Sequence, residues 1–232
     1  MIKNRIAKLK QLIKINDLDG YIIPKNDAYF SEYSSPDRLK ILTNFSGSAG
    51  FAIILKNENY LFVDGRYTIQ AQIQSGKYFK IIEVPKFSAK HILKKTKKKL
   101  SLGFDPKLFT NLSLKRKFAK NFNLLPITEN LIDKIYKDKS KKTISSFYNL
   151  DNKISGEAAS SKINRLIKIM KSKKIHNIFI SASENVAWLL NIRGKDNPNS
   201  PIPNCKIILT NTKKIFFFSC PKKINIIKKH HD

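Results

Sequence analysis

One order of segments occurs twice in this 232-residue chain: an amphipathic run, a short apolar run rich in β-branched residues, a polar connection and a β-hairpin. In the first copy, residues 2–16 carry Ile6, Leu9, Leu12 and Ile13 at helical spacing. The buried strand "DGYIIP" (19–24) follows and stops at Pro24, and a long polar, turn-rich connection (26–50) leads on. The hairpin "GFAIILKNENYLFVDG" (50–65) then joins two apolar runs through Lys56-Asn57-Glu58-Asn59. In the second copy, helix 157–173 carries Ile163, Leu166, Ile167 and Met170 on one face. It is followed by strand "HNIFISA" (176–182), helix "ENVAWLLNIRG" (184–194) with Gly194 near its end, a turn-rich "KDNPNSPIPN" and the hairpin "CKIILTNTKKIFFFS" (205–219). Between the copies lie helix 66–75, strand 78–84, helix 88–99, strand 102–105, helix 112–121 and strand 122–127. Strands alternating with helices bury their apolar faces in a layered α/β domain, here with a mixed sheet. The expected division is a domain at 1–136, a polar linker at 137–158 and a shorter, truncated copy of the same fold at 159–232.

Composition limits the function classes. No apolar run approaches the roughly 18 residues of a membrane span. The N-terminal segment has neither a continuous apolar core nor a small-residue cleavage site, so it does not read as a secretory signal. Cys205 and Cys220 are too few for a disulfide framework. A cytoplasmic protein is expected. The net charge of +28 invites nucleic acid as a partner. Only six of the 45 basic residues are arginine, however, the side chain suited to bidentate phosphate contacts, and the lysines accompany Ile and Asn along the whole chain. The run "KKTKKK" (94–99) has no interleaved aromatics and reads as a solvated helix face.

Several residues are candidates for chemistry. In "FVDGRYTIQAQ" (62–72) Arg66 stands at a strand-to-helix corner behind Asp64-Gly65. It is either a solvated first-turn residue or a planar cationic fork aimed from a rigid corner. Gly47-Ser48-Ala49-Gly50 resembles a phosphate cradle in its small residues, but it lacks the Gly-Lys-Ser/Thr ending and runs into a strand, so close backbone packing is its expected use. Asp27, Glu32 and Tyr33 cluster on the first connection, with Asp27 expected in an Asx-type turn and Glu32 in solvent. Trp188 and Leu189-Leu190 are expected in a core, and Arg193 beside a helix C-terminal carbonyl or an acid. His91 and His176 are expected to be structural, and His230-His231 to lie at a frayed end.

Six ordered blocks then resemble one family: "YIIPKNDAYFSEY" (21–33), "FSGSAGFAII" (45–54), "VDGRYTIQAQ" (63–72), "GFDPKL" (103–108), "ENLIDKIY" (129–136) and "ENVAWLLNIRGKDNPNSP" (184–201). They are similar to the Xaa-Pro aminopeptidases (aminopeptidase P) of the creatinase–prolidase group. The resemblance implies two creatinase-type N-terminal folds, the second incomplete, each a mixed sheet flanked by helices. It implies that Arg66 contacts peptide substrate. In the family, metal-assisted removal of the residue before proline uses two divalent metals, typically manganese, held by two Asp, one His and two Glu of a C-terminal catalytic domain. That ligand set is expected to be absent here, so no bound cofactor and no activity of the chain alone are expected. The implied partners are a second copy or a separate catalytic chain, with peptide bound only once a catalytic domain is supplied. The alternative is a non-enzymatic interaction module whose basic surface binds acidic partners or nucleic acid.

Overall fold

The apolar stripe of the first segment becomes α1 (Ile2–Ile15), which buries Ile2, Ile6, Leu9 and Ile13. The structure, a computed structural model, describes residues 2–31, 35–93, 99–119, 122–136, 146–197 and 199–224. The chain divides into two units, Met1–Ala28 with Ser34–Lys139, and Tyr29–Tyr33 with Ser140–Asp232.

In the first unit α1 is followed by β1 (Gly20–Pro24), α2 (Arg38–Thr43), β2 (Phe51–Leu55) and β3 (Asn59–Asp64). A 3-10 turn (Gly65–Tyr67) then leads into α3 (Thr68–Ser75), β4 (Lys80–Val84), α4 (Ala89–Leu93) and β5 (Ser101–Phe104). The last elements are α5 (Asn111–Leu114), β6 (Asn123–Pro126) and α6 (Leu131–Ile135). The sheet order is β4-β3-β2-β1-β5-β6. Its β1–β2 and β2–β3 pairs are antiparallel, and β3–β4, β1–β5 and β5–β6 are parallel, so the expected mixed sheet is present. Successive side chains of a strand face opposite ways. Tyr21 and Ile23 therefore enter one core with Leu9, Ile13, Leu39 and Leu42, while Ile22 enters the other with Ile53, Phe62, Phe104 and Phe118. Both faces of this sheet are covered.

Local chemistry departs from the sequence expectation in three places. The connection 26–50 contains α2, whose N-terminus is capped by the Asp37 carboxylate accepting from the Lys40 amide, and whose C-terminus turns on Asn44 in the left-handed region. Six residues give too few turns for periodicity to reveal a helix. The helix expected at 112–121 is α5 continued by a π-turn at Lys115–Ala119. Of the helix expected at 88–99, residues 89–93 are helical, and 94–98 lie outside the described residues.

The second unit contains β7 (Tyr148–Asn149), α7 (Asn152–Ser155), α8 (Ala159–Ser172), β8 (Asn177–Ile180), α9 (Ser183–Leu190), β9 (Ile192–Arg193), β10 (Lys206–Thr210) and β11 (Ile215–Phe218). The sheet β11-β10-β8 is antiparallel, and β7 pairs with β9. Ile167, Met170, Val186, Leu189, Cys205, Ile207 and Leu209 form its core. The helix expected to run to Gly194 ends earlier, at Asn191 with φ 53°, a conformation asparagine tolerates, and Ile192-Arg193 leaves as a strand. Trp188, expected in the core, is 53% exposed: Val186 and Leu189 take the buried face of α9, and the Trp188 ring is covered from one side by Lys162.

Candidate recognition corner

The corner after β3 is built by one carboxylate. Asp64 Oδ1 accepts the Arg66 backbone N–H at 3.0 Å and the Arg66 Nε–H at 3.1 Å, while Oδ2 accepts from Nη2 at 2.8 Å. The same side chain thus closes the 3-10 turn and grips the guanidinium edge-on. The hydrogen bond from the Arg66 side chain is the main reason the Asp64 carboxyl stays below its usual range. Arg66 itself is 76% exposed at its side chain, so this pair adds little to stability, and its consequence is orientation. The guanidinium carbon also lies 5.4 Å from the Tyr67 ring centre. A fork held by a carboxylate and an aromatic ring loses little entropy on meeting a carbonyl or carboxylate.

Tyr67 connects this corner to the small-residue loop before β2. Its hydroxyl lies 2.9 Å from Ser48 Oγ, and its ring meets Phe45 edge-on at 5.8 Å. A Cβ on Gly47 would sit 2.3 Å from Phe45 Cζ and 2.9 Å from Tyr67 Cδ1, and Gly50 has φ +154° with Phe62 O 2.8 Å from where a Cβ would stand. These glycines serve backbone packing, and the loop enters β2 rather than a helix. Ser46 is bound from α3: its N–H donates to Gln74 Oε1 at 2.9 Å, and its Oγ accepts from Gln74 Nε2 and Gln70 Nε2, both at 2.9 Å. The blocks 45–50 and 64–74 are therefore one packed structure. Sequence reasoning missed Tyr67, Gln70 and Gln74. The i, i+4 spacing of the two glutamines was the available signal.

The other candidates have structural surroundings. Asp27 is buried, and its Oδ2 accepts the amide of Ser35, eight residues on, at 3.3 Å. Glu32, Tyr33 and His230-His231 lie outside the described residues. His91 Nδ1 meets Ser88 Oγ at 2.9 Å, and His176 Nδ1 meets Asn211 Nδ2 at 3.5 Å. Arg193 donates to the carbonyls of Ala187 and Ile192, the helix-terminal role expected of it. Among the described residues no group of three or more His, Cys, Asp or Glu comes together to hold a metal ion, so the donor set for a metal pair is not built from them. No helix among them is long and apolar enough to cross a membrane.

Comparison with known proteins agrees with this architecture. The creatinase/prolidase N-terminal domain family matches residues 5–135, and a second form of it matches 138–232. A probable Xaa-Pro aminopeptidase P of Laccaria bicolor is 32% identical over 92% of this chain, and aminopeptidase P1 of Lotus japonicus is 29% identical over 99% of it. The chain spans 35% and 36% of the length of these relatives. The crystal structure of an X-prolyl aminopeptidase from Caenorhabditis elegans, described as a cytosolic enzyme with a di-nuclear active site, superimposes with a TM-score of 0.85 at 28% identity, over 96% of this chain and 39% of that one. These relatives are peptidases, and they lend no support to a basic interaction module. The chain belongs to the creatinase/prolidase N-terminal domain family, which it carries twice, and corresponds to the non-catalytic N-terminal portion of an Xaa-Pro aminopeptidase P-like protein.

Proposed function

We propose that this chain serves peptide handling in an aminopeptidase that removes the residue preceding proline, with Arg66 as the arm that meets the peptide. The chemistry itself belongs to the part of the relatives that this chain does not span. The pair of divalent metals, taken to be manganese, would be held there, as the di-nuclear site of the nematode enzyme suggests. That part reaches the chain as further polypeptide, as a separate catalytic chain or within a homo-oligomer, and the cytosol is the matching compartment. Residues 1–136 make the first domain in this scheme and 159–232 the front of the second; within 137–158, expected as a linker, β7 and α7 already belong to the second unit through the pairing of β7 with β9. The observation that carries the proposal is the exposed Arg66 guanidinium, gripped along one edge by Asp64.

The test is a graft of residues 1–136 in place of the corresponding part of the Laccaria bicolor relative, assayed on an X-Pro peptide. Arg66→Ala is expected to lower kcat/KM by about 1–3 kcal/mol of lost charge-assisted contact. Arg66→Lys recovers part of the loss, because it keeps the charge without the fork. Unchanged kinetics in the Arg66→Ala graft, with the first unit destabilised, assign the arginine to structure alone.

A further inference from the structure

Arginine is scarce in this chain, and most of its arginines are matched to an acceptor. Arg38, Arg66 and Arg165 each meet a carboxylate, and Arg193 meets the carbonyls of Ala187 and Ile192. Arg5 on α1 differs. It is half-buried and has no ion pair among the described residues. Its Nη1 donates to the Ile41 carbonyl at 2.5 Å, and its guanidinium carbon lies 4.9 Å from the Tyr136 ring centre. A carbonyl and a ring fix the side chain without neutralising it. A guanidinium has five N–H donors, and the carbonyl takes one. Partial burial of an uncompensated charge is costly, and an anion that meets it recovers that cost.

Arg5 lines a cleft of about 360 Å³ within the first unit, together with Pro36, Lys40, Ile41, Asn44 and Tyr136. Such a volume is at the lower end of those that hold small ligands. Lys40, on α2, brings a second cation to the same cleft, and it too has no ion pair among the described residues. Asp37 also lines the cleft, but both its oxygens are engaged: Oδ2 accepts from Lys25 Nζ at 2.5 Å, and Oδ1 accepts the Lys40 amide at 3.0 Å. Its charge is therefore matched to Lys25 and leaves Arg5 and Lys40 uncompensated. The half-buried Pro36, Ile41 and Tyr136 give the cleft an apolar wall beside these cations.

We propose that this cleft binds a small organic monocarboxylate with a flat apolar body. The carboxylate accepts from the Arg5 guanidinium and is attracted by Lys40, a charge-assisted contact of the kind arginine's planar fork makes best. The body lies on Pro36, Ile41 and Tyr136. Asp37 sets the charge of the ligand: a fixed carboxylate in the wall disfavours a second negative charge on the guest, so a monoanion is preferred to a phosphate dianion. The site draws on α1, α2 and the residue after α6, all in the first unit, and is independent of the role of Arg66.

The probe is benzoate, titrated into the isotope-labelled 232-residue chain and followed by amide chemical shifts. Saturable shifts are expected at Arg5, Lys40, Ile41 and Asn44, and none with the neutral benzamide. Acetate, which keeps the head group without the body, is expected to bind at least about tenfold more weakly. Arg5→Gln should weaken benzoate at least about tenfold. Should that variant fail to fold, Arg5→Lys takes its place, expected to weaken binding at least about threefold because an ammonium lacks the fork. Lys40→Gln removes an exposed charge and should weaken binding about two- to fivefold. Lys107→Gln, which removes an equally exposed lysine that does not line the cleft, should leave it unchanged. Absence of shifts at these residues, equal binding of benzamide, or equal losses from Lys40→Gln and Lys107→Gln overturns the proposal, the last by assigning the effect to the chain's diffuse positive charge. Tighter binding of phenyl phosphate than of benzoate also overturns it, because the cleft then selects a dianion.

Discussion

Lys162→Met removes a buried ammonium and keeps most of the aliphatic stem. Lys162 is 3% exposed, and its Nζ donates to the Trp188 carbonyl at 2.8 Å and to Asn191 Oδ1 at 2.6 Å. The ammonium also lies 4.5 Å from the Trp188 ring centre. Both acceptors are at the C-terminal end of α9, where a cation is favoured by about 0.3–1 kcal/mol, and up to about 2 when partly buried. Hydrogen bonds from a charged donor contribute about 1.5–3 kcal/mol each, and a desolvated cation–π contact adds about 1–2. Burying the ammonium costs several kcal/mol against these gains. A net loss of about 2–4 kcal/mol in the second unit is expected for Lys162→Met, since Asn191 Oδ1 loses its charged donor. Asn191 also donates to Asn152, Ser155 and the Glu157 carbonyl, so the lysine fixes a residue that ties α7, α8 and α9 together. Trp188 is the single tryptophan of the chain, so its emission in a urea titration reports this unit directly. With a urea slope of about 1–2 kcal/mol/M, the midpoint moves down by about 1–4 M. A double-mutant cycle with Asn191→Gly, which keeps the left-handed backbone, should give a coupling of about 0.5–3 kcal/mol. A loss below about 1 kcal/mol together with zero coupling refutes the reasoning, because the lysine would then be balanced against its own desolvation.

Gly47→Ala is expected to destabilise the first unit by about 1–3 kcal/mol in chemical denaturation, since the added Cβ runs into the fully buried Phe45. Arg66→Ala, by contrast, should leave that unit within about 0.5 kcal/mol of the parent. Burial pushes the Cys205 thiol up to about 12, with Asp196 adding to the rise, and Cys220 is exposed. A thiol reagent at mildly alkaline pH should therefore modify Cys220 in the folded protein, and Cys205 only after denaturation; two equally fast thiols contradict this. Burial, then the hydrogen bond to Glu58 and its charge, raise the Tyr60 phenol to about 12. The folded chain holds this proton more tightly than the unfolded one, so the stabilisation is complete below about pH 10 and is lost as pH rises towards 12. Tyr60→Phe should flatten that part of the stability profile.

The order of elements was legible because periodicity is a local property. The continuous apolar runs "GYIIP" and "FAIIL", the spacing of Ile6, Leu9 and Ile13, and the turn at Asp64-Gly65 each depend on a few neighbouring residues, and they placed the strands, α1 and the corner bearing Arg66. Arg193 at the end of α9 was likewise readable from its distance to the helix. Burial of a particular face was not legible, because it depends on which layer arrives from elsewhere in the chain. Ile22 and Phe179 occupy corresponding strand positions, yet one is covered by Phe104 and Phe118 and the other is open. Trp188 is the largest apolar side chain of its helix and still faces outward, while Lys162, on a helix whose apolar stripe was plain, is buried by the carbonyl and amide that meet its ammonium. The grip of Gln70 and Gln74 on Ser46 joins residues far apart in the chain. Sequence determined which segments form strands and helices and where the chain turns. Tertiary structure decided which of their faces acquire partners, because a contact's free energy belongs to two surfaces and only one of them is written locally.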